Sequence, residues 1–365
     1  MQKLEVLGGK KLRGQVDISG SKNASLPILA ATILSDEKIS LSNLPRVKDI
    51  ETMLNLLKSI GSNIKRDSKK KSLSITNNKK LKFFAPYNLV KTMRAGILVL
   101  GPMLARFGKA KVSTPGGCSI GLRPIDIHLK SLAKLGVKYK ISNGYVYANA
   151  KKKLKGAKIK FPKISVGATE NLIIAASMAN GITILSNCAI EPEIKDLVNF
   201  INTMGGKIKW IGRRSLKIHG IKNFKDTKYK IMPDRIEAGT YLIAGAITQG
   251  NIKLKGIDPK FLRTELEILK KIGVKIKLEK KHIKIIGNKI IKNLNLKTAP
   301  YPGFPTDLQA QIMVLMCKAK KNSIIKEQIF ENRFMHVAEL KRMGAKINIK
   351  GNKAFINGNT IFKGA

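Results

Sequence analysis

The sequence has few cysteines and histidines, and their spacing excludes two kinds of site. The three cysteines, Cys118, Cys188 and Cys317, are far apart and odd in number. That pattern fits neither a secreted disulfide framework nor a paired-cysteine zinc site. The four histidines also lack ligand spacing with cysteines or carboxylates, so we expect no metal site.

Long apolar runs are absent as well. No segment approaches the roughly eighteen uninterrupted apolar residues of a membrane-spanning helix, and the N-terminus has no apolar run of signal-peptide length. We therefore expect no membrane insertion and a cytoplasmic protein. With 365 residues, the chain is long enough for two domains.

Acidic residues are scarce, with 23 Asp and Glu against 70 Lys and Arg, and the formal net charge is +47. Such a charge is typical of proteins that bind nucleic acid or anionic membranes. However, only 12 of the basic residues are arginine, and the few aromatic residues show no interleaved pattern for base stacking. We therefore expect no specific nucleic-acid partner and interpret the lysines as solvated surface residues.

A repeat runs through the chain. Five amphipathic segments end at a glycine, and these glycines are 68 to 75 residues apart: Gly61, Gly136, Gly205, Gly273 and Gly344. Apolar residues four positions before and directly before each glycine predict a helix that ends in a glycine cap. The alternating runs that follow predict a β-hairpin.

A second helical segment precedes each of these units and is apolar almost all round, as in "SVGATENLIIAASMA". Helices of that composition are buried. The predicted unit of about 70 residues is a buried helix, a strand, an amphipathic helix and a hairpin. This favours an α/β fold with helices inside and sheets outside. The N-terminal "KLEVLGGKKLRGQVDI" is predicted to be an orphan hairpin from a sixth unit.

Cys118 lies in "STPGGCSIGLRP", directly after a Pro-Gly-Gly turn. Such residues neither continue a helix nor fit a central strand, so we expect a partly solvated loop. The basic neighbourhood, which includes Arg123, favours a reactive thiolate. The alternative, a small buried apolar residue, stays open.

Polar and basic residues at the starts of the buried helices predict anion binding. Lys22 and Asn23 open the first helix, Arg94 lies in the second, and Ser165 opens the third. Free N–H groups and the helix dipole favour phosphate at such positions.

Six motifs, in order along the chain, resemble a known family. They are "GSKNASLPILAATIL", "PGGCSIGLRPIDIHL", "KISVGATEN", "MPDRIEAGTYL", "YPGFPTDLQAQ" and "IFENRFMHVAEL". Together they resemble the UDP-N-acetylglucosamine 1-carboxyvinyltransferase family of enolpyruvyl transferases. The resemblance implies two inside-out, barrel-like α/β domains of three repeats each, with the active site in the cleft between them. We expect the first domain at residues 20–231 and the second at residues 1–19 together with 232–365.

The resemblance also implies a reaction. The enolpyruvyl group of phosphoenolpyruvate would pass to the 3′-hydroxyl of UDP-N-acetylglucosamine with release of phosphate and without a cofactor, as the first committed step of peptidoglycan precursor synthesis. By the same resemblance, Cys118 is a loop thiol that acts as proton donor or covalent participant and is alkylated by fosfomycin. Asp307 matches the base. From the residues alone, Thr306-Asp307 suits a helix N-cap equally well.

The remaining site residues follow from the resemblance too. Lys22, Arg94 and Arg123 match positions that bind the phosphate of phosphoenolpyruvate, with Lys22 counted among the catalytic residues, and Arg333 matches one that binds its carboxylate. Glu191 and Asp234 match acidic positions that orient Lys22, although solvated carboxylates are an alternative. The matched contacts with the nucleotide sugar are Asn23, Arg123, Pro124, Ile125, Asp126, Ile127, Lys163, Ser165, Val166, Gly167 and Ile329.

The helices of a sixth unit should follow Gly358, but the sequence stops at Ala365. This predicts a truncated enzyme whose second domain is incomplete and whose activity is impaired. Three other interpretations stay open. The first is a fully working enzyme with a rebuilt C-terminus. The second is an enzyme like 3-phosphoshikimate 1-carboxyvinyltransferase, which shares the fold and the donor. The third is an inactive basic binding protein that retains the fold.

Overall fold

The computed structural model describes residues 5–67, 72–77, 81–91, 93–114, 116 and 125–365. The chain divides into two compact units. The central unit is Ser19–Met232, and the split unit is Met1–Ile18 together with Pro233–Ala365. These limits lie one residue from the boundaries expected from the sequence.

The described residues form five four-stranded sheets, three in the central unit and two in the split unit. The strands of the central unit are β2 Ile39–Ser42, β3 Ser62–Asp67, β4 Ser72–Asn77, β5 Phe84–Ala85, β6 Lys109–Ser113, β7 Lys138–Ser142, β8 Tyr145–Asn149, β9 Lys158–Lys160, β10 Ile182–Ser186, β11 Lys207–Gly212, β12 Ser215–His219 and β13 Thr227–Lys230. The strands of the split unit are β1 Arg13–Asp17, β14 Asn251–Lys255, β15 Lys275–Glu279, β16 His282–Ile286, β17 Asn295–Lys297, β18 Ser323–Lys326, β19 Ile347–Lys350 and β20 Lys353–Ile356.

The helices alternate with these strands. Those of the central unit are α1 Lys22–Ala31, α2 Lys48–Ile60, α3 Tyr87–Val90, α4 Leu100–Phe107, α5 Asp126–Ala133, α6 Val166–Ala176 and α7 Pro192–Thr203. Those of the split unit are α8 Arg235–Ile247, α9 Arg263–Lys271, α10 Gln309–Cys317 and α11 Val337–Arg342. Short 3-10 helices cover Thr32–Leu34, Arg94–Val99, Pro259–Leu262 and Thr306–Leu308.

The predicted repeat is confirmed in all five units. Helix α6, strand β10, helix α7 and the hairpin β11–β12 show its order of elements. The glycine that follows each amphipathic helix has a φ angle between +96° and +114°. Glycine adopts this left-handed conformation without the steric cost that a Cβ atom imposes, which is why the helices end there.

Every sheet also contains a strand that the repeat pattern does not show. Strand β13 pairs in parallel with β2, and β1 pairs in parallel with β14. The five sheets run β13-β2-β4-β3, β5-β6-β8-β7, β9-β10-β12-β11, β1-β14-β16-β15 and β17-β18-β20-β19. The expected N-terminal hairpin is wrong for residues 5–17, because residues 5–12 form no strand and β1 alone joins the sheet.

The apolar helices are buried, as their composition predicts. Residues Ala24–Ala31 of α1 and Ala168–Ala176 of α6 are all buried, and α6 contacts both α1 and α4. In the split unit α8 contacts α10. In strands β4, β8, β12 and β16, buried side chains alternate with more exposed ones. Helices inside and sheets outside are therefore the architecture of each unit.

Candidate active site

The first turn of α1 presents two of the candidate residues. The Ser21 hydroxyl caps the helix by accepting a hydrogen bond from the Ala24 amide at 3.3 Å, which satisfies one of the free N–H groups at the helix start. Lys22 is half-buried and Asn23 is exposed. This turn therefore has the accessible cation and positive dipole end that anion binding requires.

Lys22 forms an ion pair that the sequence did not indicate. Its Nζ lies 3.0 Å from Oδ2 of Asp49 on α2, and the two side chains are 42% and 37% exposed. Accessible ion pairs of this kind contribute about 0–1 kcal/mol to stability. The ammonium group can therefore exchange Asp49 for an anionic ligand at little cost.

The two acids expected to orient Lys22 occupy helix starts. Asp234 is the N-cap of α8, where its Oδ1 accepts from the amides of Ile236 and Glu237 at 2.8 and 3.1 Å. Glu191 directly precedes α7 and is buried. Their action on Lys22 stays a prediction.

Glu191 belongs to a group of buried carboxyl groups. Glu170 on α6 and Glu193 on α7 are 5% and 3% exposed. Burial raises the pKa of Glu170 well above its usual value, and the charges of Glu193 and Glu191 raise it further. Glu170 therefore retains its proton to a higher pH than an exposed glutamate does.

Two neighbouring helix starts carry most of the candidate nucleotide-sugar residues. Ser165 caps α6 by accepting from the Ala168 amide at 3.3 Å. The candidates Lys163, Val166 and Asp126 are exposed, Gly167 is half-buried, and Ile125 and Ile127 are buried. The side chains of Ile125 and Ile127 therefore pack at the base of this surface, while the polar candidates lie on it.

His128 is packed between these two helix starts. A Cβ atom on Gly167 would lie 3.2 Å from His128 Cε1, so the ring sits directly against the first turn of α6. Asn171 Nδ2 lies 3.2 Å from His128 Nδ1 and also donates to the Ile97 carbonyl at 3.0 Å. This contact fixes the orientation of the ring.

The pKa of His128 shows that Arg94 lies near the starts of α5 and α6. Burial lowers the pKa of His128 to about 4, and the charge of Arg94 lowers it further against the opposing effect of Asp126. The ring is therefore neutral at pH 7. With Asn171 donating to Nδ1, the proton of the neutral ring is on Nε2, which faces Gly167. Arg94, Asp126, His128 and Gly167 thus form one group.

In the split unit the structure brings Asp307 and Arg333 together. Arg333 Nη2 donates to Asp307 Oδ1 at 2.8 Å, and the two side chains are 19% and 41% exposed. Asp307 lies inside the 3-10 helix Thr306–Leu308, whose N-cap is Pro305, and the N-cap of α10 is Leu308. The alternative interpretation of Asp307 as a helix N-cap is therefore wrong.

Cys118, the loop thiol expected to be reactive, lies outside the described residues, as do Arg123 and Pro124. The other two cysteines are free and buried. Burial raises the pKa of Cys188 to about 12 and that of Cys317 to about 11. Both thiols are therefore unreactive at neutral pH.

Within the described part of the chain, no group of three or more His, Cys, Asp or Glu side chains could hold a metal ion. The helices of that same part include none long and apolar enough to cross a membrane.

The chain is similar to known proteins over its whole length. Residues 6–365 match the family model for EPSP synthase (3-phosphoshikimate 1-carboxyvinyltransferase). The chain is 70% identical over 365 residues to the UDP-N-acetylglucosamine 1-carboxyvinyltransferase of Pelagibacter ubique, covering 100% of this chain and 87% of that protein. With the same coverage it is 49% identical to the protein of that name from Geotalea uraniireducens.

Solved structures share the fold at low sequence identity. The enolpyruvyl transferase NikO from Streptomyces tendae matches with a TM-score of 0.87 at 19% identity, over 97% of this chain and 83% of that one. EPSP synthase from Acinetobacter baumannii matches with a TM-score of 0.71 at 18% identity and the same coverage. The comparisons do not bear out the expected truncation, and an incomplete second domain is not confirmed.

Proposed function

Because the chain belongs to the EPSP synthase family of enolpyruvyl transferases, and is similar throughout to UDP-N-acetylglucosamine 1-carboxyvinyltransferases, we propose that it has the activity of the latter. It transfers the enolpyruvyl group of phosphoenolpyruvate to the 3′-hydroxyl of UDP-N-acetylglucosamine and releases phosphate. The observation that carries this proposal is the 70% identity over the whole chain to a relative of that name. The reaction begins peptidoglycan precursor synthesis.

Cations bind the donor in this proposal. Lys22, Arg94 and Arg123 bind the phosphate of phosphoenolpyruvate, and Arg333 binds its carboxylate. The exposed ion pair of Lys22 supports this role, because an incoming phosphate can replace Asp49. A planar guanidinium group such as that of Arg333 matches the two oxygens of a carboxylate better than an ammonium group does.

The chemistry is an addition followed by an elimination. Asp307 takes the proton of the 3′-hydroxyl while the hydroxyl oxygen attacks C2 of phosphoenolpyruvate. An acid protonates C3. Cys118 is the candidate acid or covalent participant. Departure of phosphate and loss of a proton from C3 then restore the double bond. The hydrogen bond from Arg333 supports the assignment of Asp307, because it fixes the direction of the carboxylate.

The nucleotide sugar is assigned to the group around the starts of α5 and α6, where Ser165 and the first turn of α6 supply N–H groups for its diphosphate. The other assigned contacts are Asn23, Arg123, Pro124, Ile125, Asp126, Ile127, Lys163, Val166, Gly167 and Ile329. The compartment is assigned as the cytoplasm, since free thiols such as Cys188 and Cys317 are typical of reducing surroundings.

The test is phosphate release from phosphoenolpyruvate with UDP-N-acetylglucosamine as acceptor, with and without fosfomycin. We expect turnover that fosfomycin abolishes, and loss of turnover in Cys118→Ala. Cys188→Ala is the matched control, because its buried thiol has a raised pKa and is no target for alkylation. That variant should keep both turnover and fosfomycin sensitivity.

The same assay separates the alternatives. Turnover with shikimate 3-phosphate but not with UDP-N-acetylglucosamine would favour the sibling activity. Absence of turnover with either acceptor, together with binding of polyanions, would contradict both enzymes and favour a basic binding protein.

A further inference from the structure

The carboxylate of Glu327 joins two segments of the split unit. Glu327 directly follows β18 and is 2% exposed. Its Oε2 accepts a hydrogen bond from Thr306 Oγ1 at 2.9 Å. Its Oε1 accepts from Thr298 Oγ1 at 2.9 Å and from the amides of Ile329 and Phe330 at 2.8 and 3.2 Å. Four donors thus converge on one buried carboxylate.

Three of these donors, the Thr306 hydroxyl and the amides of Ile329 and Phe330, belong to segments with candidate active-site residues. Thr306 directly precedes Asp307, the proposed base. Ile329 is a proposed contact of the nucleotide sugar and lies in the same segment as Arg333. Glu327 thus holds both segments through hydrogen bonds to Thr306 and Ile329. The hydrogen bond from Arg333 to Asp307 joins the same two segments a second time and closes a ring of contacts.

We infer that Glu327 is a positioning residue that holds Asp307 and Arg333 in register without touching the substrate. Hydrogen bonds to an ionised carboxylate are shorter and stronger than neutral ones, and burial keeps water from replacing them. This register matters because a displacement of about 1 Å in a reacting group costs about 10² in rate. The inference rests on the proposed function, in which Asp307 is the base.

The two threonines distinguish positioning from simple support of the fold. Thr298 Oγ1 donates to Glu327 and also accepts from the Gln328 amide at 2.9 Å. Thr298→Val therefore removes both of these hydrogen bonds from a fully buried site, whereas Thr306→Val removes the one to Glu327 from a half-buried site. If Glu327 only supports the fold, Thr298→Val should be the more damaging change for both stability and activity.

The experiment measures kcat, both KM values and Tm for the wild-type chain and three variants. We expect Thr306→Val to lower kcat about tenfold or more, with the KM for phosphoenolpyruvate changed less than about threefold. Thr298→Val should lower Tm further than Thr306→Val does, yet keep kcat within about threefold of wild type.

Glu327→Gln is the conservative variant. Its amide oxygen can keep the three donors at Oε1, and its amide nitrogen can donate to the Thr306 hydroxyl, which then accepts. We therefore expect it to retain kcat within about fivefold of wild type, well above Thr306→Val.

Equal losses of kcat in Thr298→Val and Thr306→Val would overturn the inference while leaving the proposed function standing. So would a Thr306→Val variant with wild-type kcat. Absence of turnover in the wild-type chain would refute the proposed function, and the role of Glu327 with it. Because the wild-type chain is measured in the same assay, the two failures are distinguishable.

Discussion

Arg333 donates from Nη2 to Oδ1 of Asp307 at 2.8 Å. The Arg333 side chain is 19% exposed, and a partly buried ion pair is screened less by solvent than one on the open surface. The guanidinium group therefore holds the carboxylate in one orientation. A substitution at either residue consequently affects its partner as well.

The first prediction concerns the base. Asp307→Asn keeps the shape of the side chain and an oxygen that can accept from Arg333, but its amide cannot take up the hydroxyl proton. We expect kcat to fall about 10²–10⁴-fold, with both KM values changed little. Phosphate release over a range of substrate concentrations measures this.

Asp258→Asn is the matched control in the same unit. Asp258 caps the 3-10 helix Pro259–Leu262 and pairs with Lys260 at 2.8 Å, so its loss should leave kcat unchanged. An Asp307→Asn variant with more than about a tenth of wild-type kcat would contradict the assignment of Asp307 as base.

The second prediction concerns the partner of Lys22. If the Lys22 ammonium group leaves Asp49 to bind phosphate, Asp49→Asn removes the carboxylate that competes with phosphate for Lys22. We expect the KM for phosphoenolpyruvate to fall about two- to fivefold, the range that a surface pair of up to about 1 kcal/mol allows. The effect should shrink at high ionic strength because salt screens the pair.

Glu51→Gln tests whether this effect is specific. Glu51 lies on the same helix and pairs with Arg66, so its loss removes the same charge near α1 and leaves the Lys22–Asp49 pair in place. It should leave the KM unchanged. A rise of the KM in Asp49→Asn would instead show that Asp49 positions Lys22.

Local sequence patterns predicted the repeat because each of its signals acts over a few residues. A glycine such as Gly61 or Gly205 ends a helix through its own φ angle. The parallel edge strands were missed because their partners are distant. Strand β13 pairs with β2, more than half the chain away, and no local pattern indicates such a pairing.

The candidate site was predicted less completely for the same reason. Motif matches indicated Asp307 and Arg333 but not the carboxylate that links their segments. In a chain with only 23 acidic residues, an acid directly after a buried strand was a usable signal for Glu327. No such signal existed for Asp49, because an acid in the first turn of a helix is common.

The third prediction concerns the contact between α6 and His128. Gly167→Ala would place a Cβ atom 3.2 Å from His128 Cε1 and 3.3 Å from Nε2. The ring is fixed by Asn171, so the first turn of α6 must shift. We expect the KM for UDP-N-acetylglucosamine to rise about three- to tenfold, while Tm is preserved because alanine favours helix over glycine.

His128→Asn supplies the control, because asparagine lacks the two ring atoms that the new Cβ would meet. In the double variant the KM should return toward that of His128→Asn alone. Additive effects of the two changes would show that Gly167 and His128 act independently.

The fourth prediction concerns stability and pH. The raised pKa of Glu170 means that its stabilising contribution is complete below its unfolded pKa and is lost as pH rises toward the folded pKa. Glu170→Gln keeps the protonated shape at every pH. Its Tm should therefore lie closest to that of wild type near pH 5 and exceed it near pH 8. Glu37→Gln at an exposed site should change Tm little at either pH. A Glu170→Gln variant less stable than wild type at pH 8 would contradict the raised pKa that burial gives Glu170.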